Sequence, residues 1–445
     1  MIDLIIRNAR IWDSHEAREA DIAIRDGVIN AIGDLSGISA EQEIDAKGGD
    51  VIPGGIDPHV HMREPGAPHK ETWETGSAAA VSEGFTTVFD MPNTNPPVID
   101  AASLAAKLDL VSGRSYCHYG AFVAVTAKNL PLLPKALEHP AVPGLKLYLG
   151  STTGQLLLEG KGPLIELDRL YGQGMVRKPM AVHGELEATL RPFAGRSDLP
   201  HHLRRPAQAG YDGMELLAGE LKHVPLHFCH ISTVAEAEAM KGYRQQKRDI
   251  TAEAGPHHLF LDAEEHGVVK GGFAKMNPPL RFATDRDALV AGLADGTVDM
   301  VGTDHAPHTR QEKDADAPPS GVPGLDTVMR LMLLLVRQGR LSMTDLVRVT
   351  SGAVAHRFRL VGKGRIAEGA DADLVLLHPG WETMPLQTLT NEGLHTACGW
   401  SPFEGMALPP RPRYVLVSGV VTAGDGRIIA PKPAGRRIVT TGNTP

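Results

Sequence analysis

Cysteine is scarce in this chain: Cys117, Cys229 and Cys398 are three in 445 residues. An odd and widely scattered set makes no disulfide framework, and it fits a reducing compartment in which each thiol is a small buried hydrophobe. Positive charge is in deficit too. The 45 Lys and Arg against 53 Asp and Glu leave a formal net charge of -8, with no basic stripe to offset it. That argues against nucleic acid or an anionic membrane as partner. Long apolar runs are also missing: the longest, near Leu331 to Val336, falls far short of the ~20 residues of a membrane span. Met1-Ile2-Asp3-Leu4-Ile5-Ile6-Arg7 lacks the charged start and apolar centre of a signal peptide and alternates like a strand. We find no internal repeat and no low-complexity tract. These absences predict a soluble, cytoplasmic protein.

What is present is a globular composition, 42% hydrophobic and 22% charged, in a chain too long for one ordinary domain. Residues 1–52 read as short strands divided by turn signals such as Arg25-Asp26-Gly27. Strand-like texture returns at Ala372–Leu377 and Tyr414–Val417. From about 51 to 358, apolar or β-branched runs alternate with helical stretches, and the runs end near His59, Met91, Val125, Leu149, His183, His230, Glu253 and Asp304. Eight such βα units predict an α/β fold, a closed (β/α)8 TIM-like barrel over 53–358. The two chain ends, 1–52 plus 359–430, are expected to pair into a small composite β-sandwich, with 431–445 as a C-terminal tail.

The predicted strand ends carry the chemistry. His59 and His61 in Pro58-His59-Val60-His61 share one face of a strand, so both imidazoles can reach one cation. Alone, such a pair is more often a surface or hydrogen-bonded one. Downstream, however, Lys146, His183, His230 and Asp304 fall at the same rim, where barrel chemistry takes place. In Leu145-Lys146-Leu147-Tyr148-Leu149 the leucines share one face and Lys146 points the other way. If the leucines face the helices, Lys146 enters the barrel, where an unpaired ammonium is disfavoured. Carbon dioxide added to its neutral amine would give a carbamate able to bridge two cations; a pairing with Asp or Glu, or a bend to solvent, is the alternative. Tyr148 reads as packing. His227 reads as structural, and His201, His202, His257 and His258 as loop residues.

Four segments now point to a family. His59-Val60-His61-Met62-Arg63-Glu64-Pro65-Gly66, Met91-Pro92-Asn93-Thr94, Lys275-Met276-Asn277-Pro278-Pro279-Leu280-Arg281 and Gly302-Thr303-Asp304-His305-Ala306-Pro307-His308-Thr309 resemble the dihydroorotases of the amidohydrolase superfamily. Gly364-Arg365-Ile366 through Leu374-Val375 is similar to the superfamily's returning sandwich segment. The resemblance implies a zinc-dependent cyclic amidase that interconverts N-carbamoyl-L-aspartate and L-dihydroorotate in pyrimidine biosynthesis. It implies His59, His61 and Asp304 on one Zn2+, His183 and His230 on a second, and N6-carboxylated Lys146 bridging both beside a shared hydroxide, with Asp304 moving the proton.

By the same resemblance Arg63, Asn93 and His308 hold the substrate carboxylate, while Asn277, Ser320 and Gly321 address the ring amides. Arg63 is the discriminating residue, since relatives acting on rings without that carboxylate generally lack it; read alone, it could instead pair with Glu64 or Glu71. The charged segment Thr309–Gly321 has the composition of a mobile loop and the position of a lid. The resemblance further implies a homodimer and an association with aspartate transcarbamoylase. Two alternatives stand beside this reading: another cyclic amidase (dihydropyrimidinase, hydantoinase or allantoinase), or a catalytically silent scaffold.

Overall fold

The computed structural model describes residues 1–151 and 156–441. The chain opens with β1 (Ile2–Trp12), β2 (Ala17–Arg25), β3 (Val28–Gly33), β4 (Ala40–Asp45) and β5 (Asp50–Pro53). β1 and β2 are longer than the turn signals predict. The β2–β3 turn holds Asp26 and Gly27 at φ of 53° and 77°, the left-handed pair that a two-residue hairpin turn requires.

Nine parallel segments follow: β6 (Gly55–Val60), β7 (Phe85–Asp90), β8 (His118–Ala121), β9 (Val123–Ala124), β10 (Leu145–Tyr148), β11 (Met180–His183), β12 (Leu226–Phe228), β13 (Ile250–Ala254) and β14 (Met300–Val301). β6 to β8 pair in sequence, as do β9 to β14, and only Phe122 separates β8 from β9. The series returns towards its start. Beyond β14, Val60 bridges His305 in parallel and the His61 amide donates to the His305 carbonyl at 2.7 Å. Helices lie between the strands, among them Trp73–Ser82, Ala101–Val111 and Val234–Gln245. Each of these three starts at a side-chain cap (Thr72, Asp100 and Thr233) that satisfies a backbone amide of the first turn.

The last strands are β15 (Leu374–Leu376), β16 (Gln387–Thr388), β17 (Ala407–Leu408), β18 (Tyr414–Val417), β19 (Val420–Gly424) and β20 (Arg427–Ile428). β16 and β17 form a small pair of their own. The others join the first five in one nine-stranded sheet, ordered β20-β19-β18-β15-β5-β1-β2-β3, with β4 also on β1. The two chain ends meet where β5 pairs antiparallel with β15. Their apolar faces share a core in which Leu4, Ile6, Ile22 and Ile24 pack with Leu374, Leu376 and Leu416.

Part of the expected C-terminal tail is docked. Residues 435–440 are fastened to the parallel strands: the Tyr119 amide donates to Arg436 O at 3.0 Å, the Ile438 amide to Tyr119 O at 2.9 Å, and Ile438 is buried. Burial of the Ile438 side chain adds apolar stabilisation to these backbone bonds. Residues 442–445 of that expectation lie outside the described residues. His257 and His258, expected in a loop, are buried in the short helix Pro256–Phe260. Among the described residues, no helix is long and apolar enough to cross a membrane.

Candidate metal centre

The strand ends deliver their polar side chains to one narrow cavity of about 30 Å³. His59, His61, Lys146, Tyr148, His183, His230 and Asp304 line it, with Asn277, Ser320 and Gly321 closing one side. The β10 alternation explains Lys146: Leu145 and Leu147 join the main hydrophobic core, so Lys146 and Tyr148 face the cavity.

The donor atoms converge. Asp304 Oδ1 lies 3.0 Å from His61 Nε2 and 3.3 Å from His59 Nε2. Donor atoms of His59, His230 and Asp304 all fall within 4.8 Å of one another. His183 Nδ1 faces His230 Nε2 at 3.1 Å, near the roughly 3.3 Å between two nitrogens on one tetrahedral zinc. The two rings meet edge to face, and His230 Nδ1 is buried with no partner among the described residues. Nitrogen and carboxylate donors in this density fit a pair of borderline cations.

Supporting side chains set the orientation. His59 Nδ1 lies 2.6 Å from Glu253 Oε1, and His61 Nδ1 lies 2.8 Å from Asn93 Oδ1. An acceptor on each Nδ1 fixes the ring and turns each Nε2 towards Asp304 and the cavity. Glu185 Oε2 stands 3.2 Å from His183 Nε2 and is held by Arg205 at 2.6 Å. Neither Glu253 nor Glu185 was singled out from sequence. Their signal was an acidic residue inside, or just beyond, an otherwise apolar strand. His227 spans Thr251 Oγ1 and Glu253 Oε2, both at 3.0 Å, and so serves the support layer.

Charge is finely placed. Burial alone would raise the Asp304 carboxyl, but His59, His61 and His230 hold it well below the usual range. Burial, reinforced by Lys146, pushes His59 down to about 4, so it is neutral at neutral pH and free to ligate. Lys146 is wholly buried, and among the described residues no carboxylate comes within ion-pair distance of it; its Nζ donates to Cys229 Sγ at 2.9 Å. A buried unpaired ammonium costs several kcal/mol, and one hydrogen bond to a thiol returns about 1 kcal/mol at most. Three site residues also take left-handed backbone, Arg63 (φ 60°), His230 (36°) and Asp304 (46°), at roughly 1–3 kcal/mol each.

The remaining candidates separate. Asn277, Ser320 and Gly321 line the cavity, whereas Arg63, Asn93 and His308 do not. Asn93 reaches His61, as above. Arg63 Nη2 meets His308 Nε2 at 3.2 Å and its Nε donates to Pro307 O at 3.1 Å; His308 Nε2 also lies 3.1 Å from Ser320 O. Burial, with Arg63 and Lys70 nearby, pushes His308 down to about 3. The ion pairs open to Arg63 do not form: Glu64 pairs with Arg114 at 2.9 Å and Glu71 with His305 at 3.1 Å.

The segment after His308 is tied down. Lys313 Nζ donates to the carbonyls of Lys275, Pro319 and Gly321 at 3.1, 2.9 and 2.8 Å, and Lys275 Nζ to Pro318 O at 2.5 Å. This brings Gly321 to the cavity at φ 134°, where a Cβ would meet Ala306 O at 2.5 Å, so no larger residue fits.

The chain belongs to the amidohydrolase family, whose sequence profile matches residues 51–143 and 183–422. Within that family its sequence is similar to dihydroorotases. That of Methanosarcina acetivorans is 38% identical over 441 residues, 95% of this chain and 92% of that protein. That of Halobacterium salinarum is 35% identical over 436 residues, 95% of this chain and 99% of that one. Among solved structures, an L-hydantoinase (dihydropyrimidinase) from Arthrobacter aurescens superposes with a TM-score of 0.91 at 26% identity, covering 99% of this chain and all of that one. A dihydropyrimidinase from Brevibacillus agri gives 0.89 at 26% identity over both full chains.

Proposed function

We propose that the chain is a dihydroorotase that reversibly closes N-carbamoyl-L-aspartate to L-dihydroorotate, the ring-closing step of pyrimidine (UMP) biosynthesis. The observation that carries this choice among cyclic amidases is Arg63: a guanidinium only 9% exposed, with no carboxylate partner among the described residues, beside His308, which contacts the cavity-lining Ser320. Such a group suits a substrate that brings its own carboxylate, which a planar fork binds through two parallel bonds. The structural likeness to hydantoinases supports cyclic-amide chemistry in general; Arg63 favours the carboxylated ring.

We read His59, His61 and Asp304 as holding one Zn2+, His183 and His230 as holding the second, and Lys146, as its N6-carboxylate, as standing between them. When bound, the two cations would supply a water acidic enough to be deprotonated near neutral pH and would polarise the ring carbonyl. Asp304, ionised and adjacent, accepts the proton of that water and delivers it to the departing ring nitrogen; ring closure runs the same transfer backwards. Arg63 and His308 orient the substrate carboxylate, with Asn93 contributing beside His61. Asn277 and the backbone at Ser320 and Gly321 address the ring amides.

The same proposal includes a closed (β/α)8 barrel over 53–358, a β-sandwich made from 1–52 and 359–430, a cytoplasmic location, a homodimer and an association with aspartate transcarbamoylase. Metal content together with turnover of dihydroorotate tests the central reading. Two zinc ions per chain and preference for dihydroorotate over dihydrouracil and hydantoin are expected. Loaded protein that ignores dihydroorotate, or prefers an uncarboxylated ring, overturns it.

A further inference from the structure

A second cleft opens at the other end of the parallel strands, where the nine-stranded sheet meets their starting residues. Its floor includes Pro179, Pro225, Asp249 and Asp299, each immediately preceding β11, β12, β13 or β14. Residues 348–365 and the turn at Ser14 and His15 make its walls, enclosing about 1750 Å³ open to solvent.

Two of the cations here are left unpaired. Five cations, Arg348, Arg357, Arg359, Lys363 and Arg365, face two acids, Asp249 and Asp299. Both acids are already engaged, Asp249 by Arg357 and Asp299 by Arg244 at 2.8 Å. Arg348 pairs with Asp345 at 2.9 Å, and Lys363 with Asp371 and Asp373 at 2.7 and 2.6 Å. Arg359 and Arg365 are exposed, and among the described residues their side chains make no hydrogen bond and no ion pair. Arg357, more than nine-tenths buried, keeps an Nε–H with no partner.

We propose that this cleft binds a small phosphate-bearing anion, with Arg359 and Arg365 gripping the phosphate oxygens. A lone carboxylate is satisfied by one guanidinium, whereas two free forks match the several oxygens of a phosphate ester or diphosphate. The site binds rather than transforms its ligand, because reactive side chains of such strands gather at their carboxyl ends. This inference does not depend on which cyclic amide the metal centre takes.

The probe is inorganic pyrophosphate, titrated calorimetrically at low salt into the metal-loaded protein and into the double variant Arg359→Gln/Arg365→Gln. Both residues are exposed and outside the metal centre, so thermal stability and basal turnover of the variant are expected to stay unchanged. Saturable binding to the wild type, weakened about tenfold or more in the variant, supports the proposal. No binding, or binding that the variant retains within tenfold, overturns it, and so does binding that vanishes when the metal is chelated, since the anion would then sit on the metal centre. A nucleoside diphosphate and a hexose phosphate, run as competitors of pyrophosphate, distinguish the two sources of the phosphate.

Discussion

Glu253 Oε1 lies 2.6 Å from His59 Nδ1, so a carboxylate at the end of β13 orients an imidazole at the end of β6, 194 residues earlier. Its other oxygen takes His227 at 3.0 Å. Burial would raise the Glu253 carboxyl, yet His59 and His227 hold it well below the usual range, so the acceptor is ionised whenever the site works. Replacing Glu253 by Gln keeps the shape and removes the charge. Metal affinity is expected to fall roughly 10–100-fold, read by competition with a chelator. Unchanged affinity would leave Glu253 a packing residue.

Arg63→Met keeps bulk and removes the donors. Losing the partner of a desolvated carboxylate costs ~2–5 kcal/mol, so kcat/KM for dihydroorotate should fall about 30-fold to several thousand-fold. Dihydrouracil, which has no carboxylate, should lose little. Equal losses on both substrates would assign Arg63 to the support of the site.

Lys146→Ala should abolish turnover and lower the metal content, and short carboxylic acids should partly restore turnover by replacing the missing carbamate. Mass analysis under mild conditions provides the direct check. An unmodified amine in fully active protein would remove the carbamate from the proposal.

Asp304→Asn should preserve the fold, because the amide still meets His61. Hydrolysis should drop about 10²-fold or more, since the amide accepts no proton. Near-normal turnover at full metal content would take Asp304 out of proton transfer.

Acid should weaken the fold through its buried histidines. Burial pushes His201 down to about 4 and His308 to about 3, whereas an unfolded histidine titrates near 6.5. Between those values the unfolded chain binds more protons than the folded one, so stability rises with pH across the window. It is complete above 6.5 and is lost as pH falls towards 4. Urea midpoints measured across that window should decline on acidification; a flat profile would mean that these histidines titrate normally in the fold.

Much of the site was legible in local pattern. Strand ends near His59, His183, His230 and Asp304, and the alternation that turns Lys146 away from Leu145 and Leu147, need only the period of a strand and the rule that such strands react at their carboxyl ends. Asn277, Ser320 and Gly321 are legible through resemblance, and they line the cavity.

Pairing across the ring was not legible. That Glu253 holds His59, that Asn93 turns to His61, that Glu64 and Glu71 are taken by Arg114 and His305, and that Ile438 docks beside Tyr119 all depend on which residues of distant strands come level. The amino-acid sequence determined which side chains face inward, because that follows from local backbone geometry. The tertiary structure alone decided their partners, and with them the charge each one carries, because hydrogen bonds and desolvation are set by neighbours that the chain brings together only on folding.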